Sequence, residues 1–230
     1  METDVTTNVT TLTIDEFIKT LPVMTLAGRS RAEWEPSENE IIETAQEMLQ
    51  KGYQPFFKET FKKLAVWLTR YKKHKYHGLL LSGNTGTGKT EFVKKCLPEL
   101  VFYPKANHPD RKFFIAKAFV NAWKRHDGII DSDYWGTLLG SANSADSYHF
   151  MIDDLGQEPT GHAFGVVSEV MDEIICQRYL DWEKTGTITI ITTNLSVENL
   201  RKRYGDRTFD RLKAMCDLIE FKGDSLRGRK

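Results

Sequence analysis

Gly83-Asn84-Thr85-Gly86-Thr87-Gly88-Lys89-Thr90 fulfils the pattern G-x-x-x-x-G-K-[ST]. Glycines at these places let backbone N–H groups curl around an anion, and a helix opening at Lys89 adds the partial positive charge of its N-terminus. The Lys89 ammonium can then reach the outer phosphates of a nucleotide, and the Thr90 hydroxyl can reach a bound Mg²⁺. Such a loop holds phosphate without saying what is done with it.

The next carboxylates bear on that. His149-Phe150-Met151-Ile152-Asp153-Asp154 is an apolar run ending in two acids. With a phosphate loop upstream, Asp153 would hold Mg²⁺ through water, and Asp154 would face a water aimed at the γ-phosphate as its orienting or general base. Thr187-Ile188-Thr189-Ile190-Ile191-Thr192-Thr193-Asn194 is a β-branched strand that delivers a neutral amide to the same sheet edge. Asn194 there could hold the lytic water or a γ-phosphate oxygen. An Asn after a strand is also a common turn former or helix cap, and the order of the three motifs favours the sensing role. In the segment from Tyr204 to Leu212, Arg207 and Arg211 share a face if the segment is helical. Spacing alone reads them as solvated arginines paired with Asp206 and Asp210.

The elements that must position these groups are legible around them. Gly78 to Ser82 is a short buried-strand run leading into the loop, and a helix is predicted from about Lys89. Further strand-like runs occur at Phe113 to Ile115, Phe150 to Ile152, Ile188 to Ile191 and Leu218 to Phe221. Helical patterns separate most of them. One predicted helix carries Val167, Val170, Met171, Ile174 and Ile175 on one face, and another runs from a Ser196 cap to Tyr204 with Gly205 as its stop. Strands alternating with helices predict βαβ units and a central parallel sheet. Upstream, Ser37-Glu38-Asn39-Glu40 is a capping box opening a helix that Gly52 ends. A second helix puts Phe57, Phe61, Leu64, Ala65 and Leu68 on one face, with Lys58, Lys62 and Lys63 on others. Residues 1 to about 36 are Thr-rich and read as a docking arm or a tail.

At 230 residues the chain has room for one α/β domain and a short appendage, and 40% hydrophobic with 28% charged residues is a soluble globular composition. The net charge is zero, which gives no global reason to bind nucleic acid or an anionic membrane. It is nevertheless a sum of opposite ends: residues 201–230 hold 10 basic and 5 acidic side chains, so the remainder carries the compensating negative excess. Cys96, Cys176 and Cys216 form no Cys-x-x-Cys pair, so neither a zinc site nor a disulfide framework is expected. With no signal-peptide pattern at the N-terminus and no apolar stretch of about 20 residues, a cytoplasmic location without membrane contact is expected.

Taken in order, GNTGTGKT, MIDDLGQEP, ITTNLSVENLRKRYGDRTFDRL and IEFKGDSLR resemble the DnaC/DnaI family of replicative helicase loaders and the similar IstB transposition helper ATPases, both in the initiator branch of the AAA+ ATPases. The resemblance spans about residues 75–228. It implies an α/β P-loop NTPase core with a parallel sheet flanked by helices at 76–230, and an N-terminal arm with helices at 1–75 as a candidate partner-docking region. Only nine residues follow Phe221, so a C-terminal helical lid is not expected. Lys89 and Thr90 match Walker A, with Gly83 to Thr90 and Glu91 as nucleotide-binding residues. Asp153 and Asp154 match Walker B, and Asn194 matches sensor 1. Arg211 matches the arginine finger that acts on a neighbouring subunit, with Arg207 in reserve, and Arg227 matches an arginine that lies near nucleotide.

The implied cofactors are ATP and Mg²⁺, and the implied activity is slow, DNA-stimulated ATP hydrolysis. The implied partners are single-stranded DNA, a replicative DNA helicase and further copies of the chain meeting through the ATP site. Two features depart from the pattern: Asp154 is one methylene shorter than the Glu common at this place, and no cysteine precedes Cys96 to build a zinc-bearing helicase-binding module. An IstB-like helper that recruits a transposase and a viral superfamily-three helicase are the alternatives. A small-molecule P-loop kinase fits the paired acids and the Asn194 strand less well, and no Asn-Lys-x-Asp signature supports a GTPase. Trp123, Lys124, Arg125, His126, Tyr134 and Trp135 set aromatics beside cations, as a single-strand groove does; a partly buried helical hairpin with core tryptophans accounts for them slightly better.

Overall fold

The computed structural model describes residues 36–52, 58–72, 77–100, 112–125, 150–159, 161–163, 166–168, 170–186 and 188–227. The strands in chain order are β1 (Gly78–Gly83), β2 (Lys112–Ile115), β3 (Phe150–Leu155), β4 (Gly161–Ala163), β5 (Val166–Ser168), β6 (Thr189–Thr193) and β7 (Cys216–Phe221). The helices are α1 (Glu38–Gln50), α2 (Lys58–Lys72), α3, α4 (Ala116–Arg125), α5 (Val170–Thr185) and α6 (Val197–Met215). Within α3 the turns are α-helical at Lys89–Glu91, π-helical at Phe92–Cys96 and α-helical again at Leu97–Leu100.

Five strands pair in parallel in the order β2-β3-β6-β1-β7. Parallel pairing demands long crossovers, and these bring helices onto the faces of the sheet. Alternation along the central strands divides the core in two. Leu79, Leu81 and Ile190 lie in a cluster with α1, α2 and α3, while Leu80, Ile152 and Ile191 lie in a second cluster with α4, α5 and α6. The site therefore stands on strands buried from both sides.

The capping box at Ser37 forms as expected: Glu40 N–H donates to Ser37 Oγ, and the Glu40 carboxylate accepts from Ser37 N–H at 2.9 Å. Gly52, at φ 84°, ends that helix with its N–H on Leu49 O. On α2, Phe61, Leu64, Ala65 and Leu68 are buried as their spacing predicts, and Lys62 is buried beside them with its ammonium 3.6 Å from Glu59. The Trp67 indole N–H reaches the carbonyls of His77 and Gly78, each at 3.1 Å, and Thr60 Oγ1 donates to Glu220 O at 3.0 Å. These bonds pin α2 to the entry of β1 and to β7. Both N-terminal helices thus share one hydrophobic cluster with the phosphate-loop strand.

Two local expectations change. Val167 is not on a helix but in β5, which pairs antiparallel with β4 as a hairpin after β3; the helix begins at Val170. The helix capped by Ser196 does break at Gly205 (φ 76°, ψ 168°), but the chain resumes helical geometry at once and continues to Met215. The Thr-rich N-terminus through Glu35, and His126, Tyr134 and Trp135 of the segment expected to meet DNA, lie outside the described residues. No helix among the described residues is long and apolar enough to cross a membrane.

Candidate nucleotide site

Because β6 lies between β1 and β3, the C-terminal ends of these strands stand in a row: phosphate loop, Asn194, acid pair. The loop after β1 is closed by Thr87 Oγ1 donating to Asn84 O at 2.9 Å. Gly88, at φ 94°, opens α3 with no side-chain cap, which leaves the first N–H groups of the helix to an anion. Gly86, at φ 84°, could not carry a side chain, since a Cβ there would stand 2.1 Å from Ser225 Oγ. Leu226 N–H donates to Gly86 O at 2.8 Å, so residues after β7 brace the outside of the loop. Asn84 and Thr85 are exposed at its rim.

Lys89 is 4% exposed. Its ammonium donates to Gly83 O at 2.7 Å, Asn84 O at 2.8 Å, Thr87 Oγ1 at 3.4 Å and Asn194 Oδ1 at 3.0 Å. Asn194 passes the contact on, its Nδ2 donating to Asp154 Oδ1 at 3.2 Å. The amide orientation follows from chemistry, since the cation needs the oxygen and the carboxylate needs the N–H group. Burial lowers the Lys89 pKa from 10.5 to about 8; Asp154 and Asp153 pull it upward, and the charge of Arg227 adds to the lowering. Arg227, although exposed, is electrostatically part of this site.

Thr90 Oγ1 donates to Asp153 Oδ1 at 2.9 Å, and Asp153 is 3% exposed, with its Oδ2 3.9 Å from Lys94 Nζ. Thr192, which the sequence does not mark, donates to the same Asp153 oxygen at 2.6 Å. A hydroxyl beside a carboxylate at the mouth of a phosphate loop is the hard-oxygen donor set that suits Mg²⁺. The glycine loop, uncapped helix start and buried ammonium likewise suit a polyphosphate. The residues present therefore fit the two groups they were expected to hold.

Not every expected residue points inward. Glu91 is exposed and pairs with Lys95 one turn along α3. Arg211 is half-buried against its own α5: its guanidinium donates to Cys176 Sγ and lies 5.8 Å from the centre of the Tyr179 ring. Arg207 is exposed. Neither uses the acids beside it, because Asp206 pairs with Arg201 and Asp210 with Lys213, which replaces the pairing that spacing suggests.

Sequence reasoning also passes over a buried cluster just beyond the acids. Glu158, 3% exposed, accepts from Gly156 N–H at 2.7 Å and from the Tyr204 hydroxyl, and lies 3.1 Å from Arg203 Nη2. Arg203 also donates to the carbonyls of Gly156 at 3.0 Å and Glu158 at 2.6 Å. Burial, then the Glu158 charge, keeps the Tyr204 hydroxyl protonated far above its usual range. This ties the segment after β3 to α6. The only sequence signal was an acid two residues after a glycine, in the turn Gly156-Gln157-Glu158-Pro159.

The parallel sheet flanked by helices, with a glycine-rich loop of the pattern G-x-x-x-x-G-K-[ST] between β1 and α3, defines an α/β P-loop fold. Among solved structures the chain is similar to the DnaC helicase loader, at 21% identity and a TM-score of 0.50, over 82% of this chain and 94% of that one. Weaker likenesses are to DnaI (19% identity, TM-score 0.45, 86% of this chain and 88% of that one) and to domain III of the Thermotoga maritima replication initiation protein DnaA (16%, 0.46, 71% and 62%). No family model matches the sequence, and no curated protein matches it.

Proposed function

We propose that the chain binds and hydrolyses ATP with Mg²⁺ and acts in DNA replication as a DnaC-like loader that grips single-stranded DNA and a replicative helicase. The row of Lys89, Asn194 and Asp154, with Thr90 and Asp153 beside it, is the observation that supports hydrolysis. The loader role takes up the activity named for the DnaC structure, whose fold this chain shares, together with the order of the sequence motifs.

In this reading Lys89 exchanges its contacts with neutral loop oxygens for contacts with phosphate oxygens. Those partners stabilise the ammonium less than a carboxylate would, so they yield to an anion at low cost. Thr90 and Asp153 would hold Mg²⁺, which would supply neutralisation of the phosphate charge. Asp154 accepts a hydrogen bond from the attacking water and takes its proton, while Asn194, already bonded to both Lys89 and Asp154, keeps acid and ammonium in register. Water adds to the γ-phosphorus, the bond to the bridging oxygen breaks, and ADP and inorganic phosphate leave. Arg211 acts on the ATP of a neighbouring copy, which requires it to leave Cys176 and Tyr179, and Arg227 stays near the nucleotide.

The decisive measurement is ATP turnover with and without single-stranded DNA. Wild-type protein should hydrolyse ATP slowly, and Lys89→Ala should lower turnover by about a hundredfold or more. Unchanged turnover in Lys89→Ala would remove the assignment. Mixing Lys89→Ala with Arg211→Ala should restore part of the activity that each lacks alone. No recovery would remove Arg211 as the finger, and Arg207→Ala mixed in the same way then tests its neighbour. Capture of a replicative helicase by the ATP-bound protein separates a loader from an ATPase with another client.

A further inference from the structure

We propose that Thr192 is the positioning residue that holds both acids of the site in place, an inference that rests on the ATPase reading above. Consecutive residues of a strand point to opposite faces, so Asp153 and Asp154 should not serve one site. The pairing of β3 with β6 shows how they do. Ile152 faces Ile191 and Leu155 faces Thr193, so two residues of β3, Asp153 and Asp154, stand opposite the single residue Thr192. This is a β-bulge, a device that re-aims side chains. Asp154 sits at φ 57°, the one left-handed non-glycine backbone among the described residues, a conformation that persists when its surroundings enforce it.

Thr192 supplies that enforcement. Its hydroxyl donates to Asp153 Oδ1 at 2.6 Å and accepts from Asp154 N–H at 3.0 Å, and the side chain has no exposure. One oxygen thereby sets the rotation of the Asp153 carboxylate and the backbone turn that sends Asp154 toward Asn194. The Thr90 hydroxyl shares the hold on Asp153 Oδ1, but it is also a metal donor in the proposed site. Thr192 is the tether that ligand binding leaves undisturbed. Valine has the same shape and can neither donate nor accept here, whereas serine keeps both functions.

The test is equilibrium binding of a fluorescent ATP analogue, titrated with and without Mg²⁺, which needs no turnover. Thr192→Val should bind the analogue without Mg²⁺ within about twofold of wild type and lose about tenfold or more of the gain that Mg²⁺ brings, the range seen when a hydrogen bond behind a metal ligand is removed. Thr192→Ser should restore that gain. A Thr192→Val protein with the wild-type Mg²⁺ response overturns the proposal and leaves the ATPase reading standing, as does a Thr192→Ser protein that fails like Thr192→Val. A wild-type protein indifferent to Mg²⁺ overturns the ATPase reading and this proposal with it. Should Thr192→Val not fold, Thr192→Cys, close in volume with a weaker donor, takes its place in the comparison with serine.

Discussion

At the N-terminal end of β6 the guanidinium of Arg178, 1% exposed, meets Thr189 Oγ1 at 3.0 Å, Ile188 O at 3.2 Å and the Asp181 carboxylate at 3.4 Å. At the C-terminal end of the same strand the ammonium of Lys89 meets Asn194 and three neutral loop oxygens, and no carboxylate of the described residues is ion-paired with it. Both cations are buried and burial lowers the pKa of both, Arg178 to about 10 and Lys89 to about 8. The first has a carboxylate in direct contact; the second is hydrogen-bonded, among the described residues, only to neutral oxygens, and Asp154 and Asp153 act on it without touching it. A buried cation of the first kind holds a fold together, and one of the second kind is prepared for an anion.

Breaking the closed end should have the larger effect. Arg178→Ala takes the cation away from the buried Asp181 carboxylate, which keeps neutral partners such as Gln177 Nε2 at 2.9 Å, and should cost about 3–5 kcal/mol in denaturant unfolding. Replacing both, Arg178→Met with Asp181→Leu, should recover most of that loss. Lys89→Ala should move the unfolding midpoint little while removing nucleotide binding. If Lys89→Ala destabilises the chain as much as Arg178→Ala does, the contrast between the two ends fails.

The Glu158 cluster is the intermediate case, since it lies beside the site but is closed like Arg178. Tyr204→Phe withdraws one donor from a buried carboxylate and should cost about 1–3 kcal/mol of stability, with nucleotide affinity unchanged. A matching loss of affinity would place Tyr204 with the open end instead.

The smallest effect, and the finest test of the open end, is pH. Above about 8, where Lys89 loses its proton, affinity for ATP should weaken by about tenfold for each further unit. Stability should move the other way. Between about 8 and 10.5 the unfolded chain keeps a proton that the folded chain has released, so the contribution of Lys89 to stability rises with pH through that window. Affinity and melting temperature changing together across it would mean that Lys89 is not the titrating group.

How much of this was legible varies with the range of the forces involved. The phosphate loop could be read because its function is local: glycines, lysine and threonine act within one strand, one turn and one helix start. Asp153, Asp154 and Asn194 could be named from type and order, but strict alternation would have parted the two acids, and only the bulge opposite Thr192 joins them. Val167 fits a helical stripe and yet forms β5, where pairing with β4 overrides spacing. Arg211 could be named by motif; its packing on Cys176 and Tyr179 depends on α5 meeting α6, which spacing does not report.

By itself, then, the sequence determined what acts over a few residues: the anion-holding loop, the capping box at Ser37, the alternation of strands with helices, and the acids and amide at strand ends. Tertiary structure alone decided that β6 enters between β1 and β3, that Thr192 fastens both acids, that Arg178 is closed while Lys89 is open, and that α1 and α2 share a hydrophobic cluster with the central sheet. Those outcomes rest on pairings between segments far apart in the chain, whose partners are chosen by burial and hydrogen-bond satisfaction in the assembled sheet rather than by any local pattern.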